Sequence, residues 1–230
     1  ADTHERHDAA TKRAAILQPI AASESAKARR AGVVDWLGTG AQERVIGKAD
    51  FEPPAFLELG LAVSRAVCLI SVRDRLGGVL ASGTGFLVAP EIVLTNHHVI
   101  TSIADAADTH ITFDYRTASS GQDLPTTVFS LNPTRFFATD PARDCSFVAV
   151  GSRISGDRSI GDYPWLPLVG RTGKLEIGDP VYIIQHPEGQ QMQFVLRENR
   201  LLLLPRINSL KDPDIFAHYE ADTLKGSSGS

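Results

Sequence analysis

The chain has 230 residues, enough for one large domain or two small ones, and its 43% hydrophobic and 22% charged content excludes wholesale disorder. Its 23 Lys and Arg against 27 Asp and Glu give a net charge of −4, whereas binders of nucleic acid or anionic membranes usually carry a basic surplus. We therefore expect no nucleic-acid partner, and with no apolar run near the ~20 residues of a membrane span we expect no membrane partner either.

The two cysteines, Cys68 and Cys145, are too few for a disulfide framework, which favours a reducing compartment. The polar start of the chain, from Ala1 to Arg6, leads into no apolar stretch of signal-peptide length. Together these features predict a cytoplasmic location.

The first part of the chain favours helix. From Asp8 to about Arg30 it is rich in Ala with interspersed Lys and Arg, which predicts a solvent-exposed helix or helical pair. A second short helix is predicted to begin at Pro53-Pro54, because proline is tolerated in a first turn, and to run towards Ser64.

From about Ala66 the pattern changes to short β-rich runs separated by Gly, Pro, Asn and Asp. Such runs, with almost no helical periodicity between them, predict an antiparallel sandwich or barrel. The loop from Ile154 to Tyr163 marks a boundary between two halves. The predicted strands are Val67–Val72, Gly78–Val88, Ile92–Leu94, Ile111–Tyr115, Thr126–Leu131, Ser146–Val150, Trp165–Val169, Pro180–Gln185, Gln193–Leu204 and Ile215–Glu220.

Three short segments carry chemistry, although each has an ordinary structural explanation when taken alone. His97-His98 follow a strand, but neighbouring strand residues point to opposite faces, which argues against a shared metal ion. Asp144 precedes an apolar strand, where aspartate is usually a turn residue. The terminal segment Lys225–Ser230 has the composition of a flexible linker.

Their joint occurrence favours nucleophilic catalysis. A serine hydroxyl needs a base within hydrogen-bond reach, and that base needs a partner that fixes its tautomer and stabilises its charged form. His98 can take the proton of Ser228 while Asp144 holds the other imidazole nitrogen, and the chain order His…Asp…Ser is one known solution. Gly226 lets its own N–H and that of Ser228 converge as an oxyanion hole.

These segments resemble the trypsin-like (chymotrypsin-fold) serine peptidases, in particular the bacterial, disulfide-free branch with glutamyl endopeptidases and HtrA-type enzymes. Thr95-Asn96-His97-His98-Val99 is similar to the family's Thr-x-x-His signature, in which His98 rather than His97 is the base. Asp144 with Phe147-Val148 and the run Gly226–Ser230 resemble the two other signatures.

The resemblance implies an all-β fold of two antiparallel six-stranded barrels, with the triad in the cleft between them. We expect an N-terminal helical extension over residues 1–62, a first barrel over 63–155 and a second barrel over 156–230. Because family members continue for several strands after the nucleophile, we expect the second barrel to be incomplete at Ser230, either because residues are missing from this sequence or because the piece is truncated.

Two departures from the family concern regulation. Ser227 stands where zymogen-type members have an aspartate, so Arg44-Val45-Ile46-Gly47 is not interpreted as an activation site. The resemblance instead favours control by the N-terminal extension or by an attached regulatory or effector domain or protein, as in bacterial multidomain and defence proteins.

Substrate preference follows only from the resemblance. Asp222 lies six residues before Ser228, where a carboxylate selects Arg or Lys at P1, yet Asp222-Thr223 also resembles branches in which the threonine lines the pocket. Lys225 either flanks the cleft, where it would favour acidic groups, or is simply solvated.

The leading hypothesis is therefore a serine endopeptidase that acts on proteins or peptides through an acyl-enzyme, with no metal and no cofactor. The alternative is a catalytically silent peptidase fold used as a binding or scaffold module.

Overall fold

The computed structural model describes residues 53–168, 176–196, 199–203, 217–220 and 227–230. The chain divides into two compact units, one of residues 1–61 with 171–175 and one of residues 62–170 with 176–230. Helix α1 spans Pro54–Ser64, and the amide of Phe56 donates to Pro53 O in its first turn (2.8 Å), so the helix predicted from the proline pair is confirmed. The helix predicted over Asp8–Arg30 lies outside the described residues.

The second unit contains a closed six-stranded antiparallel barrel, built from strands β1–β5 and β7. The sheet order β3-β2-β1-β4-β5-β7-β6 is closed by pairing of β3 with β7, so the barrel leaves no free edge between those two strands. The strands are β1 Val67–Arg73, β2 Val79–Ala89, β3 Ile92–Thr95, β4 Thr109–Phe113, β5 Thr127–Leu131, β6 Phe137–Asp140 and β7 Cys145–Ser155.

Strand β7 closes the barrel because it is long enough to serve two partners. Its first part pairs with β3, from Thr95 opposite Ser146 to Ile92 opposite Ala149. Its second part pairs with β5, where Leu131 lies opposite Val150. The end of β3 and the start of β7 are thereby held side by side, and this pairing positions the candidate site.

Alternation of inward and outward residues fills the barrel. In β4 and β5 every second residue is buried, as expected for strands with one face on a core. Phe113 of β4 stacks on Tyr163 with ring centroids 4.3 Å apart, and Phe129 of β5 meets both rings edge-on. The predicted all-β barrel fold is therefore confirmed for the first barrel.

The second barrel is evident only in part. The described residues contribute two two-stranded sheets, β8 (Ile183–Gln185) with β9 (Gln193–Val195) and β10 (Arg200–Leu203) with β11 (His218–Glu220). Pro180 adds one bridge to Arg200. No helix in the described parts of the chain is long and apolar enough to cross a membrane.

Two predicted strands are wrong, and two elements of the structure were not predicted. Residues 165–168 form no strand, and the amide of Leu166 donates to Leu87 O (2.7 Å). The run predicted as one strand from Gln193 to Leu204 contains two strands, β9 and β10. The five-residue helix α2 (Ile103–Ala107), capped by the side chain of Ser102, was not predicted, and neither was β6.

Candidate active site

His98 and Asp144 are brought together by the pairing of β3 with β7. Thr95 ends β3 opposite Ser146, so the turn that follows β3 lies beside the loop that precedes β7. That turn is tight, since the amides of Val99 and Ile100 both donate to Asn96 O (3.2 and 3.3 Å). The side chains of His98 and Asp144 are therefore in contact although they lie 46 residues apart along the chain.

The carboxylate of Asp144 accepts two hydrogen bonds from His98. Nδ1 of the ring donates to Oδ2 (2.8 Å), and the backbone amide donates to Oδ1 (3.0 Å). Because Nδ1 carries the proton in this arrangement, Nε2 of the neutral ring is the free acceptor that a general base requires. The His98 side chain is 56% exposed and that of Asp144 is 29% exposed, so the base is open to a substrate.

His97 has a different partner, which supports His98 as the base. Its Nδ1 shares a hydrogen bond with Oγ1 of Thr139 in β6 (2.7 Å), and Thr139 in turn is bonded to Ser146 Oγ (2.7 Å). Ser146 donates to Ile100 O (2.8 Å). His97 thus anchors the histidine-bearing turn against β6 and β7.

Asn96 is a site residue that sequence analysis missed. Its Nδ2 donates to the backbone oxygen of Asp144 (2.9 Å). Asp144 itself adopts a left-handed backbone with φ 48°, which residues with a Cβ rarely adopt. Asn96 occupies a variable position of the Thr-x-x-His signature, so the motif does not point to it. Its side chain contacts the backbone of Asp144, which lies 48 residues further along the chain.

Ser228 lies in the same cleft as Asp144. The cleft has a volume of about 520 Å³ and is lined by Phe86, Leu94, Thr95, Asn96, Arg143, Asp144, Cys145, Tyr219, Ser227, Ser228, Gly229 and Ser230. The amide of Thr84 in β2 donates to Ser228 O (2.7 Å), which ties the serine segment to the barrel. The structure describes both Ser228 and His98, and it shows no hydrogen bond between Ser228 Oγ and the His98 ring. Of the predicted triad, only the contact between His98 and Asp144 is therefore formed.

Gly229 must be glycine for this docking. Its φ is +88°, and a Cβ there would lie 1.9 Å from Thr84 O and 2.5 Å from Thr95 Oγ1. No side chain fits at those distances, so the serine segment can approach β2 only with glycine after Ser228.

The other predicted site residues stay predictions. Gly226 of the oxyanion hole and the substrate-binding residues Asp222, Thr223 and Lys225 lie outside the described residues. Cys145, next to Asp144 in the cleft, has a thiol whose pKa is raised by burial and by the Asp140 carboxylate, so it is a weak nucleophile. Within the described ranges, no group of three or more His, Cys, Asp or Glu side chains could hold a metal ion.

Comparison with known proteins agrees with this geometry. The family described as trypsin-like peptidase domain matches residues 83–230, which include His98, Asp144 and Ser228. The chain belongs to the trypsin-like peptidase family. The resemblance inferred from the three motifs is thereby confirmed.

One curated relative is similar over most of this chain. A curated uncharacterised protein, y4fB of Sinorhizobium fredii (strain NBRC 101917 / NGR234), is 40% identical over 193 residues, which are 82% of this chain but 29% of the relative. The chain thus spans less than a third of that relative's length.

The chain is also similar to solved structures. The serine endoprotease from Yersinia pestis is 19% identical with a TM-score of 0.50, over 78% of this chain and 53% of that one. The Rv3671c protease from M. tuberculosis, in its active form, is 21% identical with a TM-score of 0.44, over 83% and 77%.

Proposed function

We propose that this chain is a serine endopeptidase that cleaves proteins through a Ser228 acyl-enzyme. The observation that carries the proposal is the His98–Asp144 pair, bonded at 2.8 Å, beside a cleft that Ser228 lines. An exposed imidazole with its Nδ1–H held by a carboxylate is what activation of a serine hydroxyl requires.

The proposed reaction assigns one role to each side chain. His98 Nε2 takes the proton of Ser228 as Oγ bonds to the scissile carbonyl carbon, and Asp144 stabilises the resulting imidazolium. The amides of Gly226 and Ser228 stabilise the oxyanion. The imidazolium then protonates the leaving amine, the peptide bond breaks, and water releases the acyl group with His98 again as base.

The missing hydrogen bond between Ser228 and His98 is compatible with this role. Catalytic hydrogen bonds are often long in the absence of substrate and tighten only in the complex. The two residues lie on segments anchored to the first barrel, Ser228 to β2 through Thr84 and His98 to Asp144, the residue that precedes β7. Completion of the triad upon substrate binding requires Ser228 Oγ to come within hydrogen-bond reach of His98 Nε2.

Labelling with a fluorophosphonate probe tests the proposal. We expect the chain to be labelled at Ser228, with Ser228→Ala unlabelled and the neighbouring Ser230→Ala labelled as the unmodified chain is. Asp144→Asn leaves the ring without its acceptor, and we expect its turnover of a protein substrate to fall by about 10⁴-fold. A folded chain that stays unlabelled, or Ser228→Ala that retains cleavage, would overturn the assignment.

The alternative is a catalytically silent binding or scaffold module, and the incomplete triad geometry is the observation that favours it. The same probe distinguishes the two functions, because a binding module leaves Ser228 unmodified while the chain stays folded. The intact set of His98, Asp144 and Ser228 favours the enzyme, since a silent fold has no need of all three.

Substrate preference is proposed from Asp222, whose carboxylate selects Arg or Lys at P1. Cleavage sites mapped in a denatured protein by the active chain test it. Enrichment of basic residues before the cut supports Asp222 as the selector, and a different preference supports a pocket lined by Thr223. Enrichment of acidic residues at other positions of the cleaved substrates would indicate that Lys225 flanks the cleft.

Control by the N-terminal extension, or by an attached regulatory or effector domain, is part of the proposal. The much greater length of the relative y4fB supports a peptidase unit that works within a larger assembly. Removal of residues 1–62 tests control by the extension: a faster rate of Ser228 labelling supports it, and an unchanged rate argues against it.

We also propose a cytoplasmic location, supported by the free thiols of Cys68 and Cys145 and tested by cell fractionation.

A further inference from the structure

Asn96 connects the two halves of the His98–Asp144 pair through its backbone and its side chain. Its carbonyl accepts the amides of Val99 and Ile100, which forms the turn that carries His98. Its side-chain amide donates to Asp144 O at 2.9 Å. One residue therefore determines the shape of the turn and also holds the main chain of the carboxylate partner.

Asp144 needs such a support because of its backbone. With φ 48° it is one of the four non-glycine residues of the described ranges in the left-handed region, where a Cβ is unfavourable. In this conformation the residue presents its carbonyl to Asn96 and its carboxylate to the amide and Nδ1 of His98. A loop free to relax to φ below zero would move both groups.

The contacts form a closed ring. The turn connects Asn96 to His98, His98 donates twice to the Asp144 carboxylate, and the Asp144 carbonyl accepts from Asn96. We infer that Asn96 is a positioning residue that holds Asp144 in its left-handed conformation, so that the carboxylate meets both donors of His98. The inference rests on the proposed peptidase function.

The fold of the turn does not depend on this one side chain. Ser146 Oγ donates to Ile100 O (2.8 Å), His97 is bonded to Thr139 (2.7 Å), and β3 pairs with β7 up to Thr95. Replacement of Asn96 by alanine leaves these anchors and the backbone of the turn in place. The variant should therefore fold, and its defect should be confined to the orientation of Asp144.

A double-mutant cycle tests whether Asn96 acts through Asp144. We expect Asn96→Ala to lower kcat about ten- to a hundredfold, because small misplacements of catalytic groups cost that much, with KM within about twofold. In an Asp144→Asn background the same replacement should change kcat less than about twofold, since the group it positions is already lost.

Asn132→Ala is the matched control. Asn132 is also half-buried, follows β5, and uses its side chain to accept from Thr134 Oγ1 and from the Arg135 amide (2.7 and 3.1 Å). Asn132 lies outside the site, so the kcat of Asn132→Ala should stay within about twofold of the value for the unmodified chain.

The NMR signal of the His98 Nδ1 proton provides a readout independent of turnover. We expect a downfield, exchange-protected resonance in the unmodified chain, unchanged in Asn132→Ala and weakened or lost in Asn96→Ala and in Asp144→Asn. An unchanged resonance with unchanged kcat in Asn96→Ala, or an equal loss of kcat in both backgrounds, would overturn the inference.

Failure of the proposed function has a different signature. If the unmodified chain is neither labelled nor active, the peptidase proposal fails. The resonance then still decides the inference, because it reports the His98–Asp144 bond whether or not the chain turns over substrate.

Discussion

Gly229 shows at residue scale how closely the serine segment docks on the first barrel. A methyl group at this position would meet Thr84 O at 1.9 Å and Thr95 Oγ1 at 2.5 Å, and φ is +88°. Both opposing atoms belong to paired strands, and Thr95 Oγ1 donates to Thr84 O (2.8 Å), so neither can move away easily. The serine segment itself must shift when a side chain is added.

We therefore predict that Gly229→Ala displaces Ser228 from the barrel and abolishes most probe labelling. The overpacking should cost about 1–3 kcal/mol if the segment stays docked, and less if it detaches. Labelling rate and urea unfolding measure the two effects. Gly161→Ala is the control, because an added Cβ there meets only Ser159 Oγ at an ordinary 3.7 Å. A Gly229→Ala chain labelled at the original rate would contradict the docking geometry.

At the scale of elements, the segment that follows β7 is fastened to the barrel by a buried polar cluster. Tyr163 Oη donates to Asp114 Oδ2 (3.0 Å), and Arg158 Nε lies 3.5 Å from the same oxygen. Burial raises the pKa of Tyr163 to about 12, so the hydroxyl stays protonated and remains a donor. The ring stacks on Phe113 in the core.

This cluster predicts that Tyr163→Phe lowers the free energy of unfolding by about 1.5–3 kcal/mol, because a buried carboxylate loses a donor while the stacking is kept. Tyr163→Ala should cost about 3–5 kcal/mol, because the aromatic contacts are lost as well. Urea unfolding followed by tryptophan fluorescence measures both. Tyr219→Phe, at a side chain 43% exposed, should change stability by about 0.5 kcal/mol or less. Equal stability of Tyr163→Phe and the unmodified chain would mean that Arg158 alone satisfies Asp114.

Elements with a strong pattern were predictable from sequence, and those that depend on a neighbour were not. Strand β1, fully buried from Val67 to Val72, was predicted within one residue. Strand β6 was missed because Phe137–Asp140 carries no alternation and is half-exposed or exposed along its length, as suits an edge paired only to β7. Residues 165–168 were wrongly predicted to form a strand, because an apolar run can pack on a barrel without joining a sheet.

The candidate site was predictable where a motif identifies the side chain. His98 and Asp144 were found because serine chemistry needs a base and a carboxylate. Asn96 was not, since its role depends on the left-handed backbone of Asp144, and no sequence motif marks that backbone angle.

At the scale of the whole molecule, packing of the β8–β9 segment against Thr84 and Tyr115 buries a group that would otherwise titrate freely. His186, between β8 and β9, is fully buried, with Nδ1 bonded to Gln190 O (2.9 Å) and its ring parallel to Tyr115 at 6.1 Å. Its Nε2 is buried and has no hydrogen-bond partner among the described residues. Burial lowers the pKa of His186 below its ordinary value of 6.5 because the charged ring would be desolvated.

The sign of the resulting pH dependence follows from linkage. Between the lowered pKa of folded His186 and the unfolded value of 6.5, the unfolded chain binds more protons, so stability falls as the pH drops below about 6.5. Burial also lowers the pKa of His110, which acts in the same direction but is only partly buried. Hydrogen bonds hold the pKa values of Asp105 and Asp162 below 3.8. The stability that these two carboxylates contribute is therefore lost only at a more acidic pH than the contribution of His186.

We therefore predict that the free energy of unfolding decreases from pH 7 to pH 5, with a limiting slope of about 1.4 kcal/mol per pH unit from His186. His186→Gln keeps a polar side chain that cannot take up a proton, so its curve should be flatter even if its stability at pH 7 is lower. His110→Gln should flatten the curve less, because its ring is less desolvated. Urea unfolding at half-unit pH steps gives the slopes directly. Parallel curves for the unmodified chain and His186→Gln would mean that His186 takes up its proton equally in the folded and unfolded chain, and that its burial does not set the acid sensitivity of the fold.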